Sequence, residues 1–319
     1  MQYVFGPVPS RRLGQSLGID TIPLKTCNWN CVYCQLGRTK PLCNQRKDYI
    51  PIHEILAQIK TALKRHTAGE IDWITFVGSG EPTLHAGIGY LIKEVRSLTN
   101  IPVAVITNGS LLFLKSVRDA LRQADAVLPG LDAGTPELYK KLNRPHPDIT
   151  FDRYIGGLVE FRQEYRGKLW VEVMLVKDLN DTAKALERIA CQIEKIRPDK
   201  IHIGLPTRPP AEKWVFPPTE EGVLRAIEIL GNVAEVASPL EGKFDIREAD
   251  NIVDAILAII IRHPMSEEQL LESLADFPEE KQAEILENLQ ASPHAQVIQR
   301  YGRRFWCGDL AFFPDSKNH

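Results

Sequence analysis

Short runs of β-branched and apolar residues alternate with longer stretches of helical periodicity along most of this chain. The predicted strands are 17–22, 73–77, 103–107, 126–131, 169–176 and 200–205, and the predicted helices are 52–66, 87–98, 112–123, 136–142, 151–166, 183–196 and 219–230. Repeated strand–helix units of this kind build a parallel sheet covered by helices. Six strands are fewer than the eight of a closed (β/α)8 barrel. We therefore predict an α/β fold with a partial, open (β/α)6 TIM-like barrel.

After this region the pattern changes to three helices in succession and a short hairpin. Ser266 and Gln269 have the capping-box spacing that opens the second helix. A Tyr-Gly-Arg-Arg turn lies between two short apolar runs near the end of the chain, as in a hairpin. This order is typical of a winged helix. We predict a barrel domain over residues 1–245 and a winged-helix-like accessory domain over residues 246–319.

Three of the six cysteines lie in one short stretch directly after the first predicted strand. Cys27, Cys31 and Cys34 form a C-x3-C-x2-C run. The N-terminal sequence shows no export signal, so we expect a cytoplasmic protein with reduced thiols. Three thiolates at this spacing can hold three irons of a [4Fe–4S] cluster and leave the fourth iron open to another ligand. Loops after barrel strands build active sites, which places the predicted cluster at the carboxyl end of the barrel.

The cysteine loop, with Tyr33 directly before its last cysteine, resembles the cluster motif of the radical S-adenosylmethionine (radical SAM) superfamily. The resemblance covers roughly residues 5–235. It includes a Gly-Ser-Gly-Glu-Pro segment that is similar to the family's Gly-Gly-Glu-Pro segment, with Ser79 in place of the first glycine. The resemblance implies a SAM site formed by Tyr33, Gly78, Ser79, Gly80, Glu81, Pro82, Thr107, Asn108, Asp132 and Lys177. We expect valine at Gly80 to weaken SAM binding while the iron content stays near normal.

The resemblance also implies the reaction. The open iron would chelate SAM, an electron from the reduced cluster would cleave it, and the resulting 5′-deoxyadenosyl radical would abstract a hydrogen atom from a substrate. A flavodoxin- or ferredoxin-type protein would donate the electron.

Residues 5–14 and 205–210 resemble more narrowly a subgroup of iron–sulfur oxidoreductases related to the wyosine-base synthases, which modify tRNA. Those synthases carry extra cysteines before the cluster motif, whereas this chain has none before Cys27. The substrate is therefore left open among a small molecule, a peptide and tRNA, with a tRNA-base-modifying reaction as the alternative.

Four arginines are candidates for substrate binding. Arg11, Arg12, Arg144 and Arg208 lie in loops predicted to reach the barrel mouth or its rim. Guanidinium groups there can clamp a phosphate or carboxylate through paired hydrogen bonds. The alternative is that these side chains only solvate the surface or cap backbone carbonyls.

Cys43 allows a different interpretation of the cysteine loop. It could complete a four-cysteine structural zinc site, and the chain would then be a zinc-stabilised winged-helix binding protein. Zinc loops usually pair two C-x2-C knuckles, and this loop has one. A second cluster involving Cys43 or Cys307 is a further possibility.

Charge and hydropathy argue against two kinds of partner. The net charge is −2, and residues 250–299 contain ten acidic residues against Arg262 and Lys281. Such a segment repels phosphates, so we do not expect binding to duplex DNA. The most apolar run, residues 252–261, contains Asp254 and is about half of the ~20 residues that a membrane span needs. We therefore expect no membrane partner.

Overall fold

The computed structural model describes residues 2–66, 69–237, 244, 251–311 and 313. Its main sheet has eight strands that follow one another in chain order. β1 is antiparallel to β2, and every later neighbouring pair is parallel. The strands are β1 (Val4–Ser10), β2 (Gly14–Asp20), β3 (Trp73–Val77), β4 (Val103–Thr107), β5 (Ala126–Pro129), β6 (Lys168–Met174), β7 (Lys200–Gly204) and β8 (Ala234–Val236).

Seven helices connect these strands and cover the sheet. They are α1 (Ile52–Arg65), α2 (Ile88–Leu98), α3 (Lys115–Leu121), α4 (Pro136–Leu142), α5 (Phe151–Glu164), α6 (Ala183–Ile196) and α7 (Glu220–Leu230). Threonine side chains cap four of them, and Thr135 and Thr219 are the caps that Thr-Pro-Glu and Thr-Glu-Glu indicate in the sequence. The partial barrel that the alternating pattern predicts is therefore present.

The sheet has two strands more than predicted, and both lie at its edges. β1 contains Pro7 and Pro9, which lack the N–H that a central strand needs and are tolerated at an edge. β8 is only three residues long, too short to show an alternating pattern. Among the described residues β8 does not pair with β1, so the barrel is open between them.

Side chains of β4 show how the sheet separates its two faces. Val103 and Val105 pack in the core between sheet and helices, whereas Ala104 packs inside the barrel with Ala126 and Leu128. Successive strand residues point to opposite faces. The small alanine side chains therefore lie on the face that encloses the barrel interior.

The C-terminal elements follow in the predicted order. They are α8 (Ile252–Ile260), β9 (Met265–Ser266), α9 (Glu267–Leu274), α10 (Glu279–Ala291), β10 (Ala295–Arg300) and β11 (Arg303–Gly308). The capping box of Ser266 and Gln269 is formed. Tyr301 and Gly302 both have positive φ, at 51° and 73°, as a two-residue hairpin turn requires. The proposed domain boundary at 245/246 lies outside the described residues, and the winged-helix assignment stays a prediction.

These C-terminal elements contact the barrel on both sides of its opening. Phe5 and Val8 of β1 share an apolar cluster with Ile256 and Ile259 of α8. On the other side, Arg300 and Tyr301 of the hairpin each donate a hydrogen bond to the Val215 carbonyl, at 2.8 and 3.0 Å. The C-terminal elements thus bridge β1 and the loop after β7. No helix in the described ranges is long and apolar enough to cross a membrane.

Candidate active site

A cavity of about 370 Å³ extends from the carboxyl ends of the parallel strands into the barrel interior. Its lining includes residues at or just after the ends of β2 to β7. Most of the predicted site residues line it, although they come from distant parts of the sequence. These are Arg11, Arg12, Cys27, Cys31, Tyr33, Cys34, Gly78, Ser79, Gly80, Glu81, Thr107, Asn108, Asp132 and Arg208.

Each of the three loop cysteines has an N–H donor close to its sulfur. The Trp29 amide lies 3.4 Å from Cys27 Sγ, Asn143 Nδ2 lies 3.7 Å from Cys31 Sγ, and Lys25 Nζ lies 3.6 Å from Cys34 Sγ. Hydrogen bonds to cluster sulfurs stabilise their negative charge and tune the cluster. This donor set fits three thiolate ligands of a [4Fe–4S] cluster.

Burial keeps two of these thiols protonated when no metal is bound. Burial, followed by the charge of Glu81, raises the pKa of Cys27 to about 12. Burial and the neighbouring thiols Cys27 and Cys34 raise the pKa of Cys31 well above its usual value. Because metal ligation needs the thiolate, cluster assembly here must release protons.

The cysteine loop is joined by its backbone to the Gly78–Pro82 segment. The Lys25 amide donates to the Ser79 carbonyl at 2.6 Å, and the Glu81 amide donates to the Thr26 carbonyl at 3.0 Å. A Cβ at Gly80 would lie 1.9 Å from the Thr26 oxygen. Position 80 therefore requires glycine, because a side chain there would collide with the backbone of Thr26, the residue before Cys27. The structure leads us to expect that valine there would lower the iron content as well, because the side chain would displace the cysteine loop itself.

Two buried carboxylates hold the strand ends around the cavity. Glu81 accepts hydrogen bonds from the Thr107 hydroxyl at 2.6 Å and the Asn108 amide at 2.7 Å. Asp132 accepts from the Tyr33 hydroxyl and from Asn143 Nδ2, the latter at 2.7 Å. Burial raises the pKa of both carboxyl groups. Their carboxylate oxygens are thus occupied in positioning neighbouring residues of the site.

Three predicted site residues do not line this cavity. Arg144 instead donates to the buried Glu212, since a buried carboxylate needs a cationic partner. Lys177 is exposed in the turn after β6. Pro82 is buried and begins a single 3₁₀ turn after Glu81, so its ring contributes to packing.

Several residues of the site were missed by sequence reasoning. Lys25 is two positions before Cys27, and this proximity is the one signal that could have identified it. Asn143 and Glu212 reach the cysteine loop only through tertiary contacts. Arg262 and His263 follow α8 and still line the cavity, and no local pattern connects them to a barrel site.

Two other cysteines, Cys43 and Cys307, do not line the cavity. Cys43 Sγ is 3.0 Å from the Tyr49 hydroxyl. Cys307 is buried in a small apolar cluster of the C-terminal elements. Within the part of the chain that the structure describes, no group of three or more His, Cys, Asp or Glu side chains is placed to hold one metal ion. Cluster thiolates need no such convergence, because each binds a different iron.

The fold and site together define a partial-barrel protein with a three-cysteine loop at the carboxyl edge of its parallel sheet. The family model described as "Radical SAM superfamily" matches residues 21–190, more than half of the 319 residues. The chain belongs to the radical SAM superfamily. This membership makes it an enzyme, with a [4Fe–4S] cluster and SAM as cofactors.

The chain is also similar to individual proteins. A UPF0026 protein of Methanocaldococcus jannaschii is 35% identical over 278 residues, which cover 86% of each chain. A radical SAM methyltransferase from Sphaerobacter thermophilus has the same fold, with a TM-score of 0.51, 19% identity, and coverage of 69% of this chain and 66% of that one.

A protein named GTPase Obg, from Brachyspira hyodysenteriae, is 46% identical over 205 residues. The match covers 64% of this chain but 30% of that protein. This chain thus spans less than a third of that relative, and its sequence contains no G-x4-G-K-[ST] phosphate-binding motif.

Proposed function

We propose that this chain binds a [4Fe–4S] cluster through Cys27, Cys31 and Cys34 and uses it to cleave SAM reductively for hydrogen abstraction from a substrate. The observation that carries the proposal is the N–H donor at each of these three sulfurs, beside the cavity at the strand ends. When bound, the cluster supplies the electron for SAM cleavage, and the 5′-deoxyadenosyl group supplies the hydrogen-abstracting radical.

The residues of the chain would hold and shield these groups. The loop would supply three thiolates to a cluster of four irons, and the fourth iron would be available to SAM. Gly78 and Ser79 lie beside the cysteine loop, and Thr107 and Asn108 lie at the end of the next strand. Their backbone and side-chain groups line the side of the cavity where SAM would bind. The walls of the cavity would limit the access of water to the reactive radical.

The proposal extends to a reductant and a substrate, which a radical SAM enzyme requires. A flavodoxin- or ferredoxin-type protein is the electron donor that we propose. The tRNA-base-modifying alternative stays a prediction.

The decisive experiment replaces each cysteine in turn by alanine and reconstitutes the variants with iron and sulfide under anaerobic conditions. Cys27→Ala, Cys31→Ala and Cys34→Ala should each lose the visible absorption of the cluster and the formation of 5′-deoxyadenosine from SAM. Cys43→Ala is the matched control and should retain both, because its thiol is directed at Tyr49. Equal iron loss in Cys43→Ala would contradict the three-cysteine assignment. A fully loaded, dithionite-reduced protein that forms no 5′-deoxyadenosine would contradict the proposed reaction.

A further inference from the structure

The four arginines that line the cavity in the described part of the chain fall into two groups. Arg12 pairs with Glu172, and Arg262 pairs with Asp20 at 2.8 Å. Arg208 differs: its Nη1 donates to Gln35 Oε1 at 2.9 Å, and within the described residues it has no carboxylate partner. A half-buried guanidinium without a counter-ion is unfavourable unless an anion completes the site.

Arg11 belongs to the same unpaired group. Its Nη2 donates to the Thr207 hydroxyl, and it too has no carboxylate partner among the described residues. Burial, followed by the positive charges of Arg11 and Arg12, lowers the pKa of Arg208 to about 9. Burial and the charge of Arg12 also lower the pKa of Arg11. The guanidinium groups of Arg11 and Arg208 thus repel each other, and neither has a carboxylate partner within the described ranges.

A histidine from the C-terminal elements completes this group. His263 lines the cavity, and its buried Nδ1 has no hydrogen-bond partner among the described residues. The charged groups that act on it are Arg208, Arg12 and Arg11, which together with burial lower its pKa well below the usual value. Its ring is therefore neutral, with one nitrogen available to a bound molecule.

Arg11, Arg208 and His263 come from different elements than the predicted SAM segments Gly78–Pro82 and Thr107–Asn108. Gln35, directly after Cys34, contacts both Arg208 and the Arg262 carbonyl, each at 2.9 Å. Arg11 lies in the turn between β1 and β2, Arg208 follows β7 and His263 follows α8, whereas the predicted SAM residues that line the cavity outside the cysteine loop follow β3, β4 and β5. A molecule held by Arg11, Arg208 and His263 would thus face SAM across the cavity.

We propose that Arg11, Arg208 and His263 form a subsite for an anionic group, a carboxylate or a phosphate, of the substrate. Two guanidinium groups offer paired donors to either anion, and its charge would remove the repulsion between them. The proposal deepens the proposed function and rests on it, because it assigns the substrate end of the same cavity. It also gives the C-terminal elements a part in substrate binding.

Inorganic phosphate and succinate are the probes for this subsite, used with the full-length, cluster-reconstituted, unreduced protein at constant ionic strength. Thermal unfolding of the wild type should shift to higher temperature as either probe is added. Arg208→Gln should weaken the apparent affinity for the probe by about tenfold or more, as expected for the loss of a charge-assisted hydrogen bond. Arg303→Gln, at an exposed residue of the hairpin, is the matched control and should keep the wild-type response.

If Arg208→Gln does not fold, Arg11→Gln and His263→Gln provide the same comparison. A wild type that responds to neither probe, or an Arg208→Gln variant that responds as the wild type does, would overturn the proposal. The carboxylate of SAM is the other source of the same chemistry, so the titration is repeated with saturating SAM. Persistence of the shift supports a substrate subsite, and its disappearance assigns the subsite to SAM instead.

Formation of 5′-deoxyadenosine by the wild type is measured in parallel. A protein that cleaves SAM but does not respond to the anions retains the proposed function and loses the subsite. A protein that responds to the anions but does not cleave SAM retains the anion-binding site and loses the proposed function.

Discussion

Gly80 illustrates how a single residue controls the cysteine loop. A Cβ there would meet the carbonyl oxygen of Thr26 at 1.9 Å and its carbon at 2.5 Å, and both atoms belong to backbone that cannot move without the loop. Gly80→Ala should therefore lower the free energy of unfolding by about 1–3 kcal/mol, the usual cost of overpacking. It should also reduce the iron bound per chain. Urea denaturation and iron analysis of the reconstituted protein measure the two effects.

Gly156 in α5 provides the control for this substitution, since nothing lies within 4 Å of a Cβ built there. Gly156→Ala should leave the iron content unchanged and raise stability by about 0.5–1 kcal/mol, because alanine is the better helix former. Normal iron content and stability in Gly80→Ala would show that backbone contact does not explain this glycine.

At the level of elements, a buried carboxylate connects the loop after β7 with the cysteine loop. Glu212 accepts from Arg38 Nη2 at 2.7 Å and Nε at 3.1 Å, and also from Arg144. Its amide donates to the Val32 carbonyl at 3.1 Å. Glu212→Gln should cost about 1–3 kcal/mol, because two guanidinium groups lose a charged partner. Faster amide hydrogen exchange in residues 30–39 should accompany the loss.

The pH dependence of this effect has a defined sign. Burial opposes ionisation, but the hydrogen bonds and charges of Arg38 and Arg144 prevail and lower the pKa of Glu212. Its stabilisation is present above the ordinary carboxyl pKa of about 4.3 and is lost as the pH falls through the lower folded value. The difference in free energy of unfolding between the wild type and Glu212→Gln should therefore shrink as the pH falls below about 4.3. Glu221→Gln, at a side chain that is 83% exposed beside Arg225, should change stability by less than about 0.5 kcal/mol.

In the whole molecule, one buried ion pair joins the C-terminal elements to the barrel. Arg262 Nε lies 2.8 Å from Asp20 Oδ2, and the two side chains are 12% and 2% exposed. Asp20 also accepts from the Ser79 amide at 3.1 Å, so this contact reaches the predicted SAM segment. Arg262→Gln leaves Asp20 buried without its cation, and it should cost about 3–5 kcal/mol in urea denaturation.

Arg304→Gln tests whether this loss belongs to the contact between barrel and C-terminal elements. Arg304 pairs with Glu267 at 3.0 Å inside the C-terminal elements, with side chains 46% and 34% exposed. Its replacement should cost less than about 1 kcal/mol. Equal effects of the two substitutions would show that the Asp20–Arg262 pair does not stabilise the assembly of the two parts.

Local sequence patterns were enough to predict much of the fold and the chemistry of the cysteine loop. The period of apolar residues predicts the six central parallel strands, Thr135 and Thr219 indicate helix starts, and the cysteine spacing indicates cluster chemistry. These features depend on residues within a few positions of one another, where backbone geometry alone relates sequence to structure. The prolines of β1 and the brevity of β8 remove that local signal, and both strands were missed.

The surroundings of the site depend on which distant elements pack together. Gly80 meets Thr26 because β3 ends beside the cysteine loop, and Glu212 reaches Arg38 because the loop after β7 folds across it. Arg262 and His263 line the cavity only because α8 packs against β1. The cysteine spacing and the strand–helix pattern are local, and they suffice to specify the kind of chemistry and the barrel that carries it. Which arginines have a counter-ion depends instead on long-range packing, which pairs Arg12 and Arg262 with carboxylates and, within the described residues, leaves Arg11 and Arg208 without one.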